Sequence, residues 1–189
     1  MVRRIEVVPH DFNWLAMFDA EAEDIAAVLG AQLVAIYHIG STSIPGIKAK
    51  PIIDLLVEVH HIEKVDDFNN SMVSLGYEPL GEHGIPGRRF FRKPDKFTRT
   101  HHVHVFGTGH PDIDRHLNFR DYLIAHPEEA QAYGRLKEDL ARRFPEDIDS
   151  YVEGKSEFIR EIDAKAKAWA EGARTATSYP RTGTRRQLA

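Results

Sequence analysis

His38-Ile39-Gly40-Ser41-Thr42-Ser43-Ile44-Pro45-Gly46-Ile47-Lys48-Ala49-Lys50-Pro51-Ile52-Ile53-Asp54-Leu55-Leu56-Val57-Glu58-Val59 is the stretch from which the fold can be read. The apolar run Leu33–Ile39 predicts a strand that breaks at Gly40-Ser41. The chain then passes through small and hydroxyl residues and enters a second apolar strand over about Pro51–Val59. Backbone N–H groups exposed at a Gly-Ser turn, with a hydroxyl beside them, can hold phosphate oxygens. One carboxylate, Asp54, stands in the second strand, thirteen residues after Ser41. An ionised carboxylate is costly in such a strand unless it is paired or holds a cation. Turn and acid together point to a nucleotide or phosphate site. The competing reading of Asp54 is a strand-end acid that caps a helix or meets an arginine.

Outward from this segment the pattern alternates helix and strand. Asp11 or Asn13 is positioned to cap a helix whose apolar residues Trp14, Leu15, Phe18, Ala22, Ile25 and Leu29 recur at three and four, with Gly30 as its stop. After the second strand, Ile62–Leu75 reads as a helix ended by Gly76. Three strands follow, Tyr77–Leu80, Arg88–Lys93 and Thr100–Phe106, joined by a Gly- and Pro-rich link over 81–87 and by Pro94-Asp95-Lys96, which suits antiparallel neighbours. From Pro111 onward the chain reads as helical, with a break at His126-Pro127, a helix over Glu128–Phe144 and another over Asp147–Trp169. The expected class is α+β, a mixed sheet covered by helices with a C-terminal helical subdomain. Residues 1–172 are expected to form one domain, its sheet part about 1–107 and its helical part about 111–172.

The 189 residues are enough for a real core, and 42% hydrophobic with 29% charged residues is ordinary for a globular protein. No apolar run approaches the roughly 18–20 residues that span a bilayer, and the N-terminus lacks the apolar core of a signal peptide. The absence of cysteine excludes disulfides, thiolate nucleophiles and Cys-ligated zinc, and fits a cytoplasmic chain. The net charge of −4 hides an asymmetry: residues 174–189 hold four arginines and no acid, which leaves the body at −8. An acidic body argues against a broad nucleic-acid-binding surface. Residues 173–189 lack a hydrophobic period and read as a disordered basic tail.

Other side chains stand out. In Arg99-Thr100-His101-His102-Val103-His104, strand alternation sends His102 and His104 to one face and His101 to the other. Two histidines so spaced can bind a transition metal or supply a base, and a half-exposed strand is the plainer alternative. Arg88, Arg89, Arg92 and Lys93 flank Phe90-Phe91, and alternation allows at most half of them into one site. Lys155, between Tyr151 and Phe158, falls on the buried stripe of its helix, where it either snorkels or points into a cleft; Arg120 beside Asp121 poses the same question.

The segments His38-Ile-Gly-Ser-Thr-Ser-Ile-Pro-Gly-Ile47, Ala49-Lys-Pro-Ile-Ile-Asp54, His102-Val-His104, Leu117–Leu123 with His126-Pro127, Tyr133 with Leu136-Lys137, and Tyr151 with Lys155 and Phe158 resemble the GrpB (UPF0157) family, of the nucleotidyltransferase-fold superfamily. The resemblance covers about residues 5–170. It implies a nucleotidyltransferase-like protein that passes a nucleotidyl group from an NTP to an unknown acceptor with a divalent metal, Mg, Mn or Zn. In that scheme Gly40, Ser41, Thr42, Lys50, Arg89, Arg120 and Lys155 hold phosphates. Asp54, His102 and His104 hold the metal, with Asp54 and His104 catalytic. One departure stands against a standard two-metal site. The superfamily places a second acid two residues after the first, about 6.6 Å away on the same face, and here that position is Leu56. Glu58 shares the face but lies about 13 Å from Asp54 by strand rise. A non-catalytic nucleotide- or anion-binding module is therefore the alternative.

Overall fold

A computed structural model describes residues 4–93, 99–175 and 185–186. The chain forms two compact units, each assembled from separated stretches of sequence. Among the described residues, the sheet unit comprises 12–39, 52–93, 99–114 and 185–186; the helical unit comprises 4–11, 40–51 and 115–175.

In the sheet unit, α1 (Asn13–Leu29) precedes β1 (Leu33–Ile39), and β2 (Ile53–Val59) carries Asp54. A 3-10 stretch (Ile62–Phe68) and a short α2 (Asn69–Ser74) lead to β3 (Glu78–Pro79), β4 (Arg88–Lys93) and β5 (His101–Gly107). With β6 (Arg185–Arg186) they form one sheet in the order β3-β4-β5-β2-β1-β6. The β2–β5 pair is parallel and its neighbours are antiparallel, so the sheet is mixed, as the pattern predicts. One face is covered by α1, whose Phe18 ring stacks on His38 at 4.8 Å and whose buried Glu21 accepts from Lys93 Nζ at 2.8 Å. The opposite face carries Asp54.

The helical unit contains α3 (Pro111–Ala125) from Arg115 on, α4 (Pro127–Arg143), α5 (Ile148–Glu153) and α6 (Ser156–Thr175). Ile44 and Ile47 pack with Tyr122, Leu123, Tyr133 and Ile162 in its core, and Ile5 packs with Leu140 and Tyr151. Val8 and Ala49 exchange backbone hydrogen bonds of 2.9 and 3.0 Å. These contacts explain why the expected boundary near 107–111 is not the observed one. Ile5, Ile44 and Ile47 are buried against helices that come much later in the chain, a choice that linear order does not reveal. No helix among the described residues is long and apolar enough to cross a membrane.

Several local expectations are corrected. Neither Asp11 nor Asn13 caps α1: the N-cap is Phe12, without a side-chain bond. Leu15 is 47% exposed because the buried stripe runs through Trp14, Phe18, Glu21, Ala22 and Ile25. The helix expected over Ile62–Leu75 is two pieces, the first of them 3-10, with its Asp66 clamped by Arg89. The helix expected over Asp147–Trp169 is also two, α5 and α6, separated at Gly154-Lys155. Asp147 caps α5 through Ser150 N at 3.0 Å, and a Cβ at Gly154 would run into Leu140, so the helices meet closely at the glycine. Of the expected tail, α6 takes residues up to Thr175 and Arg185–Arg186 pair with β1. The remainder of the tail, and the turn at Pro94-Asp95-Lys96, lie outside the described residues.

Ile47 is wholly buried in the helical unit and Leu15 is largely exposed. Ile47→Ala is expected to cost about 2–5 kcal/mol, and Leu15→Ala at most about 0.5 kcal/mol. Urea midpoints of the two variants check the contrast; equal effects would contradict the discontinuous core.

Candidate active site

Strand register arranges the Asp54 face of the sheet in rows. Arg92, His102, Asp54 and Ile39 form one row across β4, β5, β2 and β1; Phe90, His104, Leu56 and Tyr37 form the next; Arg88, Phe106, Glu58 and Ala35 form the third. His102 and His104 therefore share a face with Asp54, and all three side chains converge. His102 Nδ1 lies 3.1 Å from Asp54 Oδ1, and His104 Nε2 lies 3.7 Å from the same oxygen. A carboxylate only accepts hydrogen bonds, so His102 Nδ1 carries the proton of that contact. The ring then presents Nε2, which is buried and has no hydrogen-bond partner among the described residues.

His104 is held differently. Arg88 Nη1 lies 3.3 Å from His104 Nδ1, and a guanidinium only donates. His104 Nδ1 is thus the acceptor and Nε2, facing Asp54, bears the hydrogen. Burial drives the His104 imidazole below its ordinary value; Asp54 opposes this, while Arg88 and His102 add to it. Burial would raise the Asp54 carboxyl, but hydrogen bonds and charge from His102 and His104 outweigh it and hold the group well below the usual carboxylate range. Asp54 is an anion between two imidazoles.

These contacts decide how well the three side chains fit a metal. Among the described residues no group of three or more His, Cys, Asp or Glu side chains is disposed to hold a metal ion. Both nitrogens of His104 face protein groups, Arg88 on one side and Asp54 on the other. Leu56, at the place of a second acid, is fully buried in the sheet. The three side chains converge as an acid flanked by two imidazoles.

Arg89 is also relocated. Alternation puts it on the face opposite Asp54, and both its Nε and Nη2 donate to Asp66, at 2.7 and 2.8 Å. The arginine beside the acid is Arg88, which is 5% exposed. Its Nε donates to Glu82 O at 3.2 Å and its Nη2 to His83 O at 2.7 Å, which ties the 81–87 loop to the strand. His83, at φ 44° in the left-handed region, stacks on Phe90 with ring centroids 5.0 Å apart. Phe90 in turn meets His104 edge-on at 5.0 Å. Arg88 and Phe90 stand in the basic-aromatic run of the sequence, but choosing Arg88 over Arg89 requires the β4–β5 register. His83 and Arg99 carry no sequence signal of their own.

The other candidates belong to the helical unit. Gly40, at φ 70°, starts a single 3-10 turn (Ser41–Ser43) rather than a long helix. Ser43 Oγ donates to Gly40 O at 2.6 Å, and Thr42 is buried. Lys50 and Lys155 place their ammonium groups over one ring, Tyr151, at 4.8 and 5.3 Å from its centre. Burial pushes the Tyr151 phenol up to about 12, so both cations face a neutral ring. Lys155 comes from the link between α5 and α6, not from a continuous helical stripe. Arg120 is buried against Asp121, with Nε to Oδ1 at 2.8 Å.

The family model described as GrpB protein matches residues 4–165. The chain belongs to the GrpB family. It is 48% identical over 170 residues to the UPF0157 protein YqkA of Bacillus subtilis, an alignment covering 90% of this chain and 49% of YqkA. The chain thus spans about half the length of that relative. The crystal structure of the conserved protein GrpB from Enterococcus faecalis superimposes with a TM-score of 0.83 at 42% identity, covering 87% of this chain and 99% of that one. More distantly, Cid1 in complex with the UTP analog UMPNPP gives a TM-score of 0.50 at 12% identity, covering 72% of this chain and 43% of Cid1. At that identity the likeness to Cid1 is one of fold.

The electrostatics have a pH signature. A carboxyl whose folded value lies below its unfolded one stabilises the fold above the unfolded value of about 3.9, and that stability is lost as pH falls. Asp54→Asn is therefore expected to lower the urea midpoint at pH 7 and to flatten its decline below about pH 5. Parallel pH curves for the two proteins would contradict the arrangement. In the same frame, ¹⁵N shifts of the His104 ring should report the neutral Nε2–H tautomer at about pH 6.5, where an unperturbed histidine is half protonated.

Proposed function

We propose that this GrpB-family protein transfers a nucleotidyl group from an NTP to a hydroxyl acceptor, with the Asp54–His102 pair as its base. The observation that carries the reading is the 3.1 Å contact of His102 Nδ1 with an ionised Asp54, which leaves Nε2 buried and unpartnered. An imidazole oriented by a carboxylate through one nitrogen is a general base at the other. The acceptor hydroxyl gives its proton to His102 Nε2, its oxygen forms the new bond to the α-phosphorus, and the α–β bridging bond breaks to release pyrophosphate. His104, neutral and bound to Arg88, keeps Asp54 anionic. The catalytic histidine in this scheme is His102, in place of the His104 expected from the sequence.

Two lines support the nucleotide part. Cid1, of like fold, was solved with a UTP analogue. Within the helical unit by itself, the Gly40-Ser41 turn amides and the Lys50 and Lys155 ammonium groups are of a kind that suits phosphate oxygens. A second reading, nucleotide binding without turnover, is favoured by buried Leu56 in place of a second acid.

The test is pyrophosphate release from each NTP with a panel of hydroxyl acceptors, run with Mg²⁺, Mn²⁺, Zn²⁺ or a chelator. Release is expected to fall by about 10²–10⁴-fold in His102→Gln, the range a general base supplies, and in Asp54→Asn. Saturable calorimetric binding of an NTP with no release from any acceptor would favour the binding module. Release unchanged in both variants would overturn the base assignment, and the chelator arm reads metal dependence directly.

A further inference from the structure

We infer that Arg92, Arg99 and His83, with Arg88 fixed behind them, form an oxyanion site beside His102 that takes a phosphate group of the acceptor. This rests on the transfer reading above and names the acceptor class, a phosphorylated alcohol.

The geometry begins with the rows of the sheet. Arg92 is the register partner of His102, which is the register partner of Asp54. Arg92 is therefore the cation nearest in register to the proposed base. Its Nε donates to Glu78 at 2.5 Å, and its two Nη groups have no acceptor among the described residues. Arg99 lies three residues before His102, half-buried, and its Nε is shielded from solvent with no partner among the described residues. A buried guanidinium N–H without an acceptor is costly, and an anionic oxygen removes the cost.

The charges around these groups leave room for an anion. Arg92 and Arg99 act on the same carboxylate, Glu78, and on each other, so two guanidiniums share one acid. Burial drives the His83 imidazole below its ordinary value, and the charges of Arg88, Arg92, Arg99 and His102 add to it. Arg88 spends its donors on Glu82 O, His83 O and His104, so it supplies field and holds the loop rather than binding ligand. The loop is pinned again where His110 Nε2 donates to Pro86 O at 3.2 Å and Glu82 Oε1 accepts from Gly87 N at 2.7 Å. His83 is thereby kept in its left-handed conformation, stacked on Phe90. A loop held in a conformation that a non-glycine residue seldom adopts presents its ring at a set position.

Two guanidinium forks and an imidazole offer donors in several directions, which suits a tetrahedral phosphate with three terminal oxygens. With the phosphate there, the acceptor's hydroxyl is offered to His102 one residue along the row. The residues of the site all belong to the sheet unit.

Calorimetric titration of the full chain with inorganic phosphate, in the absence of nucleotide, tests the inference. Saturable binding is expected, with phosphate-induced shifts of the His83 ring signals. Arg99→Gln should weaken binding by at least about tenfold, the loss of one charged hydrogen bond. Arg99→Lys, which keeps the charge without the fork, should fall between. Circular dichroism checks folding, and Arg92→Gln reports on the same site should Arg99→Gln fail to fold. Arg142→Gln, which removes an exposed arginine of α4 that no proposed ligand uses, should bind phosphate as the wild type does. No saturable binding, wild-type affinity in folded Arg99→Gln, or loss of binding in Arg142→Gln would each overturn the proposal. The readout needs no turnover. Absent pyrophosphate release with Arg99-dependent phosphate binding would sink the transfer reading alone, and the reverse result would sink only the acceptor class.

Discussion

The parallel register of β2 with β5 sets Asp54 beside His102 and Leu56 beside His104. Parallel strands cannot be joined by a tight turn, so the chain must leave the sheet and return in the same direction. It does so through the 3-10 stretch, α2, β3 and β4, and β4 then pairs with β5 in the antiparallel sense. That excursion brings Arg88, Phe90 and Arg92 to the Asp54 face. A slip of one residue in either pairing would turn every one of these side chains to the α1 side. There the sheet is closed by the Phe18–His38 stack and the Glu21–Lys93 pair.

Electrostatics on the two faces follow one rule with different outcomes. On the α1 face Glu21 meets Lys93 and lies near His101, an ion pair that lets polar groups be buried. On the other face Asp54 meets two imidazoles, one tied to an arginine and one with a bare nitrogen. In the first arrangement the acid is paired with a lysine, and His101 Nε2, 3.8 Å from Glu21, makes no hydrogen bond among the described residues. In the second the unpartnered Nε2 of His102 belongs to a ring whose other nitrogen is held by the acid, and such an oriented, buried polar group is where chemistry is to be sought.

Much of this was legible in the residues. The apolar runs of β1, β2, β4 and β5 and the break at His126-Pro127 are local patterns, and local patterns carry to the structure. Strand alternation alone put His102 and His104 on one face. What failed was longer in range. Leu15 satisfies the helical spacing but lies off the buried stripe, because partners elsewhere in the unit choose which face is covered. Arg89 and Arg88 are indistinguishable in sequence; Asp66, more than twenty residues away, captures the first, and His104 with the 81–87 loop receives the second. Residues 4–8 and 44–49 carry no mark that assigns them to the helices.

Chain order, periodicity and residue chemistry were sufficient to establish an α+β protein with a mixed sheet, a Gly-Ser turn and one acid in a central strand, since each depends on neighbours a few residues apart. The tertiary structure alone decided which cations and imidazoles stand beside that acid. The same contacts set Asp54 between two imidazoles and assembled each of the two units from separated stretches of sequence. Those outcomes depend on strand register and on burial between residues distant in sequence, and no local pattern encodes either.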